Sequence, residues 1–331
     1  MCARVLGLCF LAVGAAWGQS SQSFGTYTYD VNGRRVLSSH SGMTAGAGAS
    51  ANVRTTQTLN GRRVPAESVD EKVVSDGPGG KVVERFVKVY DEDGRVVSSE
   101  KQVITERNLG EGRSEVSTAV YRSDLNGRMT LAERARTEST AAGGRTALQT
   151  VVERASLNGG LEAVERRQST QRISNGRTDT DTTIYRKDSN GGFQAAAREV
   201  LSVAKSGATT TENVTQYNTA ATGQMELTGQ RVVTTTERPD GGQTQVVDVY
   251  GMAAPGRAMP NYASGPQLRE QQIIDKRPAG AGGFVESYSI RRPGLESGAL
   301  GAPVKISETV CTGNCTAPKA APAAEAKPAQ P

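Results

Sequence analysis

The sequence has few of the residues on which most enzymes and metalloproteins depend. Its 331 residues include one histidine, His40, and one tryptophan, Trp17, and aromatic side chains make up only 5% of the chain. A histidine pair or metal cluster within one chain is therefore excluded, and a Ser-His-Asp triad could draw only on His40. Apolar residues make up 36% of the chain, whereas globular domains have roughly 45–50% when glycine is counted with them. The 38 glycines reduce this difference, but glycine has no side chain that could fill a core. We expect a protein that is not an enzyme and holds no cofactor or metal.

An excess of charge of one sign is also missing. The formal net charge is +5, from 39 Lys and Arg against 34 Asp and Glu, and the two signs are interspersed. Nucleic-acid binding requires a basic patch, which this pattern does not provide. Beyond the first eighteen residues, no apolar run is long enough to cross a membrane as a helix. We therefore expect no nucleic-acid partner and no membrane span in the mature chain.

The N-terminus has the pattern of a secretory signal peptide. Arg4 is followed by an apolar run over residues 5–17, and small residues stand at positions 16 and 18. The run is shorter than the ~20 residues that a bilayer span requires. We predict cleavage after Gly18, which removes Cys2 and Cys9. The mature protein is then exported, to the periplasm, the cell surface or the medium.

The two remaining cysteines, Cys311 and Cys315, frame a short loop. Oxidising compartments favour bridging, so the pair predicts a local disulfide. A redox-active or metal-binding pair is the alternative, although no histidine or second cysteine pair is available to complete a four-coordinate site. Residues 316–331 are almost entirely Ala, Pro, Lys, Glu and Gln, a composition that predicts a disordered tail.

A repeat organises most of the chain. One position recurs every 30 to 33 residues, and such a period indicates a repeat architecture. A ninth copy follows an insertion rich in Pro, Gly and Ala at residues 252–266. The repeat markers are Tyr29, Leu59, Tyr90, Tyr121, Arg154, Tyr185, Tyr217 and Tyr250, with Tyr288 in the ninth copy.

Each repeat contains two turn signals about sixteen residues apart. One is an Asn-Gly or Asp-Gly pair shortly after the marker, and the other is often Gly-Gly, as at residues 79–80 and 143–144. These pairs tolerate the positive φ of hairpin turns. The segments between them are rich in Val, Thr, Ile and Tyr, which favour strands. Residues 131–136 and 193–205 are helix-prone, but we expect strands there because equivalent segments in other copies are clearly β.

The predicted fold is all-β: a repetitive antiparallel β-hairpin meander, with about 31–32 residues per two-strand unit, forming an open twisted sheet. Strands of about ten residues, about sixteen in number, would give a ribbon approaching 77 Å in width. Closure into a β-barrel, or a β-solenoid, is the alternative. We favour the open sheet because neither face of the strands is apolar throughout, whereas a barrel needs a filled or ligand-holding interior.

These features divide the chain into six parts. They are a signal peptide at 1–18, a repeat β-sheet domain at 19–251, the insertion at 252–266, a final β-hairpin unit at 267–310, the disulfide loop at 311–315 and the tail at 316–331.

Four turns have the spacing of half a calcium loop, as in Asp91-Glu92-Asp93-Gly94. A complete loop needs further oxygen ligands and a later glutamate, which are missing. An aspartate at the first turn position that accepts hydrogen bonds from its own backbone explains the spacing without an ion. We interpret these turns as structural.

Two copies carry a family motif. Residues 29–34 and 90–95 resemble the Tyr-Asp-x-x-Gly-Arg motif of the YD repeats in Rhs and teneurin surface proteins. The copies at 121–128 and 185–191 depart from it by an insertion or a lost arginine. The resemblance implies a secreted, extended sheet of β-hairpins.

The array and the poor core favour a non-enzymatic function. We expect an exported structural or adhesive scaffold at the cell surface or in the periplasm. The alternative is a module that binds a glycan or cell-wall polymer with one face of the sheet. Possible partners are therefore cell-wall polymer, glycan or another envelope protein.

Overall fold

The structure is a computed structural model that describes residues 20–29, 34–46, 50–124, 127–156, 158–252, 266–280, 282–294, 299–313 and 315. The predicted signal peptide and tail lie outside these residues, as does most of the insertion. Within them, no helix is long and apolar enough to cross a membrane.

The described residues form 18 β-strands in a single sheet, so the all-β prediction is confirmed. The helix-prone segments at 131–136 and 193–205 lie inside strands, as expected. The strands are β1 (Ser20–Tyr29), β2 (Arg35–Gly46), β3 (Ser50–Leu59), β4 (Arg62–Gly77), β5 (Gly80–Tyr90), β6 (Val96–Gly110), β7 (Arg113–Ser123), β8 (Met129–Ala142), β9 (Arg145–Ala155), β10 (Leu161–Ser174), β11 (Arg177–Lys187), β12 (Phe193–Ser206), β13 (Thr209–Thr219), β14 (Met225–Glu237), β15 (Gln243–Gly251), β16 (Gln267–Ala279), β17 (Gly283–Arg291) and β18 (Val304–Gly313).

Each strand pairs antiparallel with the next, as a hairpin meander requires. Several turns are as tight as their sequences predict. Asn175 and Gly176, with φ of 49° and 73°, form a two-residue turn between the paired residues Ser174 and Arg177. Positive φ at both central positions matches the right-handed twist of the flanking strands, so the turn determines which residues face each other.

Each repeat also contains a β-bulge, where one of its two strands has an extra residue. In nine strand pairs the even-numbered strand carries one extra residue near its start, opposite the C-terminal end of the odd-numbered strand, and the register shifts there. A bulge bends its strand and increases the local twist. One bulge per repeat therefore curves the whole sheet in the same direction.

The sheet closes on itself, because β1 pairs antiparallel with β18 over seven residue pairs, from Gln22–Gly313 to Thr28–Ser307. The expected open ribbon is therefore wrong, and the alternative, a closed β-barrel, is confirmed. Closure gives hydrogen-bond partners to both edges that a ribbon would leave exposed. The architecture implied by the resemblance to YD-repeat proteins is also wrong, since the described residues form one ring of 18 strands rather than an extended sheet.

The register determines the dimensions of the barrel. Traced once around the ring, the residue partners return to β1 displaced by about 20 residues. With strands about 4.8 Å apart and residues about 3.3 Å apart, this stagger implies a tilt of about 37° and a Cα radius of about 17 Å. Side chains alone do not fill a ring of this size.

Closure can be tested by a cross-link across the β1–β18 seam. Thr26 and Thr309 are register partners whose Oγ1 atoms lie 3.2 Å apart. We expect Thr26→Cys with Thr309→Cys, with all native cysteines replaced by serine, to form an intrachain disulfide visible as a shift on non-reducing gels. Thr26→Cys with Thr182→Cys, across the barrel, is the control that should stay reduced. An open ribbon would leave both pairs unlinked.

Candidate functional site: the lumen, the two walls and the tyrosine rim

Stereochemistry decides which face of the sheet lines the lumen. In a strand of L-residues drawn upward, a residue whose side chain points at the viewer directs its N–H to the right. The N–H of Ala141 in β8 donates to the carbonyl of Gly112, just before β7. When β8 is drawn upward and the sheet is viewed from the face on which the Ala141 side chain lies, β7 is therefore on the right of β8.

The direction of the stagger completes the assignment. From strand to strand along the chain, the register partners descend from Val73, near the end of β4, to Arg186, near the end of β11. The strands of β-barrels coil around the barrel axis in a right-handed sense. Register partners that descend from one strand to the next strand on the left are therefore seen only from inside the barrel. Residues on the Ala141 side therefore line the lumen.

Burial agrees with this assignment. Side chains converge on the concave face of a curved sheet, so its residues should be the more buried. All the buried apolar residues within the described strands do lie on the inner face: Met43, Val64, Val69, Val83, Val152, Val214, Val233, Val247 and Cys311. The inner wall thus carries valines spaced among polar side chains.

At mid-height, much of the inner wall consists of hydroxyl groups. Thr137 and Thr150 are hydrogen-bonded across β8 and β9 at 2.8 Å, and Ser169 and Thr182 are bonded at the same distance across β10 and β11. Each hydroxyl has one neighbour on the wall and can still offer a donor or acceptor to a molecule in the lumen. This part of the wall is therefore wettable.

Paired charges line one mouth of the lumen. In three consecutive hairpins an inward glutamate accepts a hydrogen bond from the arginine on the next strand, with N–O distances of 2.9 to 3.3 Å. Each arginine neutralises a glutamate, so this mouth carries no large excess of either sign. The pairs are Glu100–Arg122, Glu133–Arg154 and Glu165–Arg186.

Ion pairs also cover the middle of the outer wall. Arg54 bonds to Asp70 at 3.2 Å, Lys101 to Glu84 at 2.7 Å, and a further pair joins β11 to β12. An arginine or lysine on the lipid face of a barrel costs roughly 2–4 kcal/mol at the bilayer midplane. The outer wall is therefore suited to polar surroundings at mid-height.

The marker tyrosines gather on the outside of one rim. We call the edge where odd-numbered strands end and even-numbered strands begin the tyrosine rim. Six outward tyrosines there form the tyrosine collar, each paired at a bulge with an aliphatic residue of the next strand. The pairs are Tyr27–Leu37, Tyr90–Val96, Tyr121–Leu131, Tyr185–Ala195, Tyr217–Leu227 and Tyr250–Leu268.

The collar rings are half-buried and lie along the wall. Tyr90 Oη is 3.2 Å from Ser68 Oγ, and the Tyr185 hydroxyl donates to Gln168 Oε1 at 3.3 Å. The marker Tyr29 lies two residues nearer the turn than the collar position of its strand, Tyr27, and Tyr288 faces the lumen. Sequence spacing located these residues, but only the register shows which of them share a surface.

The aspartates of the Asp-x-Asp/Asn-Gly turns bind their own backbone. Asp91 Oδ1 accepts hydrogen bonds from the N–H groups of Asp93 and Arg95 at 3.0 and 2.8 Å. Asp188 Oδ1 accepts bonds from Asn190 and Gly192 in the same way. These contacts explain the recurring spacing as a turn device.

The cysteines lie at the seam. Cys311 is fully buried and bonded to Cys315, whose N–H donates to the carbonyl of Gly282 at 3.0 Å. In register, Cys311 lies between Phe24 of β1 and Phe284 of β17, and the two rings are 6.4 Å apart. The disulfide therefore ends the last strand beside a small apolar cluster.

The expected role as a structural or adhesive scaffold is wrong, because closure converts the plain ribbon on which it rested into a wall around a lumen. Among the described residues, no group of three or more His, Cys, Asp or Glu could hold a metal ion. The single histidine, His40, accepts or donates one hydrogen bond with Ser23 at 2.8 Å on the outer wall. The features that the residues bring together are the lumen and the tyrosine rim.

Comparison with known proteins finds likeness in structure only. The chain matches no protein-family model and no curated protein. The outer membrane protein OpdK from Pseudomonas aeruginosa is 10% identical, with a TM-score of 0.49 over 88% of this chain and 96% of that chain. A triple mutant of the Rh. blastica porin is 8% identical, with a TM-score of 0.45 over 89% and 98%. OccAB4 of Acinetobacter baumannii is 9% identical, with a TM-score of 0.44 over 88% and 96%.

The charge pairs predict how stability depends on pH. Partial burial raises the pKa of Glu165, but hydrogen bonds and charges from Arg167 and Arg186 outweigh it and hold that pKa below its ordinary value. A hydrogen bond from Arg198 likewise lowers the pKa of Asp181, against a smaller opposing effect of burial. The resulting stabilisation is complete above the unfolded-state pKa values near 4 and is lost as the pH falls through the lower folded-state values.

We expect the free energy of unfolding in urea to fall between neutral pH and about pH 3. Glu165→Gln combined with Asp181→Asn should be less stable at neutral pH and should lose less on acidification. A double variant with the same pH slope as the parent would contradict the assignment.

Proposed function

We propose that this protein is a channel for hydrophilic solutes, working in the cell envelope. One observation carries the proposal, namely the closure of 18 strands into a ring. Barrels of about eight strands are filled by their own side chains, whereas rings of 16–18 strands leave an aqueous passage. The export signal expected from the sequence supports an envelope location.

The lining indicates which solutes would pass. Hydroxyl pairs such as Thr137–Thr150 offer hydrogen bonds, and the Glu–Arg pairs at the tyrosine rim present both signs of charge close together. A solute loses little hydration against such a wall, and neither anions nor cations are strongly favoured. Small hydrophilic molecules of either charge are the expected cargo.

The closed barrel also favours a module that binds a glycan or cell-wall polymer over a structural scaffold. A concave inner wall encloses a molecule on several sides, as a binding module for a hydrophilic polymer would need. A polymer held inside the lumen would contact the hydroxyl rows of β8 to β11. Its retention would appear as blockage of the passage, so one experiment addresses both functions.

Accessibility of the lumen to reagents of graded size tests the proposal. Thr118 points inward near mid-height, and its neighbour Ala119 points outward from the same strand. We expect Thr118→Cys to react readily with a small maleimide and progressively less with maleimide-polyethylene glycols of increasing mass, because the passage limits entry. Ala119→Cys is the matched control and should react with all sizes.

The measurement is the extent of labelling at fixed time on a folded sample, with the native cysteines replaced by serine. Thr118→Cys that stays unreactive towards the smallest maleimide would show a closed interior and would overturn the channel. Equal reactivity of both positions towards every polymer would indicate an open sheet and would overturn it as well.

A further inference from the structure

We propose that the inner wall beside the seam binds neutral sugars as they pass through the barrel. We call this part of the wall, the inner faces of β18, β1, β2 and β3, the seam sector. The inference rests on the proposed function, because it requires a lumen that is open to solutes. It follows from two observations: the seam sector carries no charge, and the inward aromatic rings gather beside it.

The seam sector is the uncharged part of the inner wall. Its inner face runs from Cys311 through Phe24 and Ser41 to Thr55, which are successive register partners. Among the described residues of these four strands, no inward side chain is charged. Each of the other strands except β15 carries at least one inward charged residue. A charged solute therefore finds no side chain of opposite sign within the sector.

Hydroxyl groups give the seam sector its polarity. The Oγ1 atoms of Thr26 and Thr309 lie 3.2 Å apart, and Ser41 Oγ lies 2.9 Å from Thr55 Oγ1. A hydroxyl has one donor and two acceptor lone pairs, so each of these groups can still bond to a solute. Sugars carry the same groups and no charge. They can exchange hydrogen bonds to water for hydrogen bonds to this wall without the cost of desolvating an ion.

The inward aromatic rings lie on the two strands that flank β18. Among the described strand residues, the aromatic side chains that face the lumen are Phe24 on β1 and Phe284 and Tyr288 on β17. An apolar ring next to hydroxyl groups suits a sugar, whose C–H groups pack on the ring while its hydroxyls bond to the wall. Rings and uncharged hydroxyls therefore meet in one place on the inner wall.

Phe24 is the ring that we assign to the solute. It is half-buried, midway along β1, between Cys311 and Ser41 in register. Phe284 packs against it with ring centroids 6.4 Å apart and planes tilted by 58°, and Lys276 Nζ lies 3.9 Å from the centroid of the Phe284 ring. Phe284 is thus covered on one face and supports Phe24, which lies one strand nearer the hydroxyls of β2 and β3.

The hydroxyl rows of β8 to β11 do not offer the same combination. Thr150 faces Arg167 in register on the inner wall, and the described residues of these four strands include no inward aromatic ring. Those rows can bond to a polymer, but they cannot stack on it. Preference for a neutral sugar therefore belongs to the seam sector.

Tryptophan fluorescence at position 24 tests the site. In a chain with Trp17 replaced by phenylalanine, Phe24→Trp is the single tryptophan and keeps an aromatic ring at this position. We expect maltohexaose, a neutral oligosaccharide, to change its emission with saturation at millimolar concentrations, since the wall contacts a solute from one side only. Phe86→Trp, on the outer wall, is the matched control and should not respond. Hexagalacturonate, which is charged, should change the emission at position 24 much less. An equal response to both oligosaccharides would overturn the preference for neutral sugars.

Saturation-transfer NMR on unlabelled maltohexaose gives a second measurement, without an added fluorophore. Phe24→Ala should raise the dissociation constant about tenfold, and Phe86→Ala should leave it unchanged. Ser41→Ala with Thr309→Val keeps the ring, removes two wall hydroxyls and should also weaken binding, so the test does not depend on the fold tolerating loss of Phe24. Parent-like binding by the hydroxyl variant and by any folded Phe24→Ala protein would overturn the site.

Failure of the sugar site differs from failure of the channel. If Thr118→Cys reacts with the small maleimide while maltohexaose leaves both signals unchanged, the passage stands and the sugar site is overturned. If Thr118→Cys stays unreactive, the interior is closed and the channel is overturned, and the sugar site with it.

Discussion

The pairing of β1 with β18 is the interaction on which the rest of the structure depends. All other strand pairs join segments close in sequence, whereas the seam joins Phe24 to Cys311 and Thr26 to Thr309. Its loop-closure entropy is the largest in the molecule, although this cost grows only slowly with loop length. Once the seam forms, neither edge of the sheet is exposed. The closed sheet then has a lumen with two mouths, an inner wall and an outer wall.

Every repeat carries a bulge near the start of its even-numbered strand, and a bulge bends its strand and increases the local twist. At six of the nine bulges, the residue of the odd-numbered strand at the register shift is a collar tyrosine. The other three positions are Thr56, Glu153 and Ser289. The tyrosine is thus not required for the bulge.

Strand identity and turn chemistry were predictable from the sequence, and closure was not. Pairs such as Asn60-Gly61 and Asn175-Gly176 locate the hairpins because few residues accept positive φ. Whether the edges meet depends on the accumulated stagger, which changes with each bulge, and tyrosine marks only six of the nine bulges. Strand faces that mix apolar and charged side chains, as in Lys81 to Tyr90, predicted an open sheet because they could not form an apolar core. A wide lumen that holds water needs no such core, so the same polarity fits a closed wall.

Because each repeat contributes two strands and one bulge at the tyrosine rim, the number of repeats determines the radius of the barrel. Gain or loss of one copy by recombination between similar segments would change the ring by two strands and the stagger by about two residues, leaving the tilt nearly constant. The radius would change by about 2 Å at each step. Gain or loss of whole repeats can therefore change the radius of the barrel in discrete steps, while the sequence of each remaining hairpin stays the same.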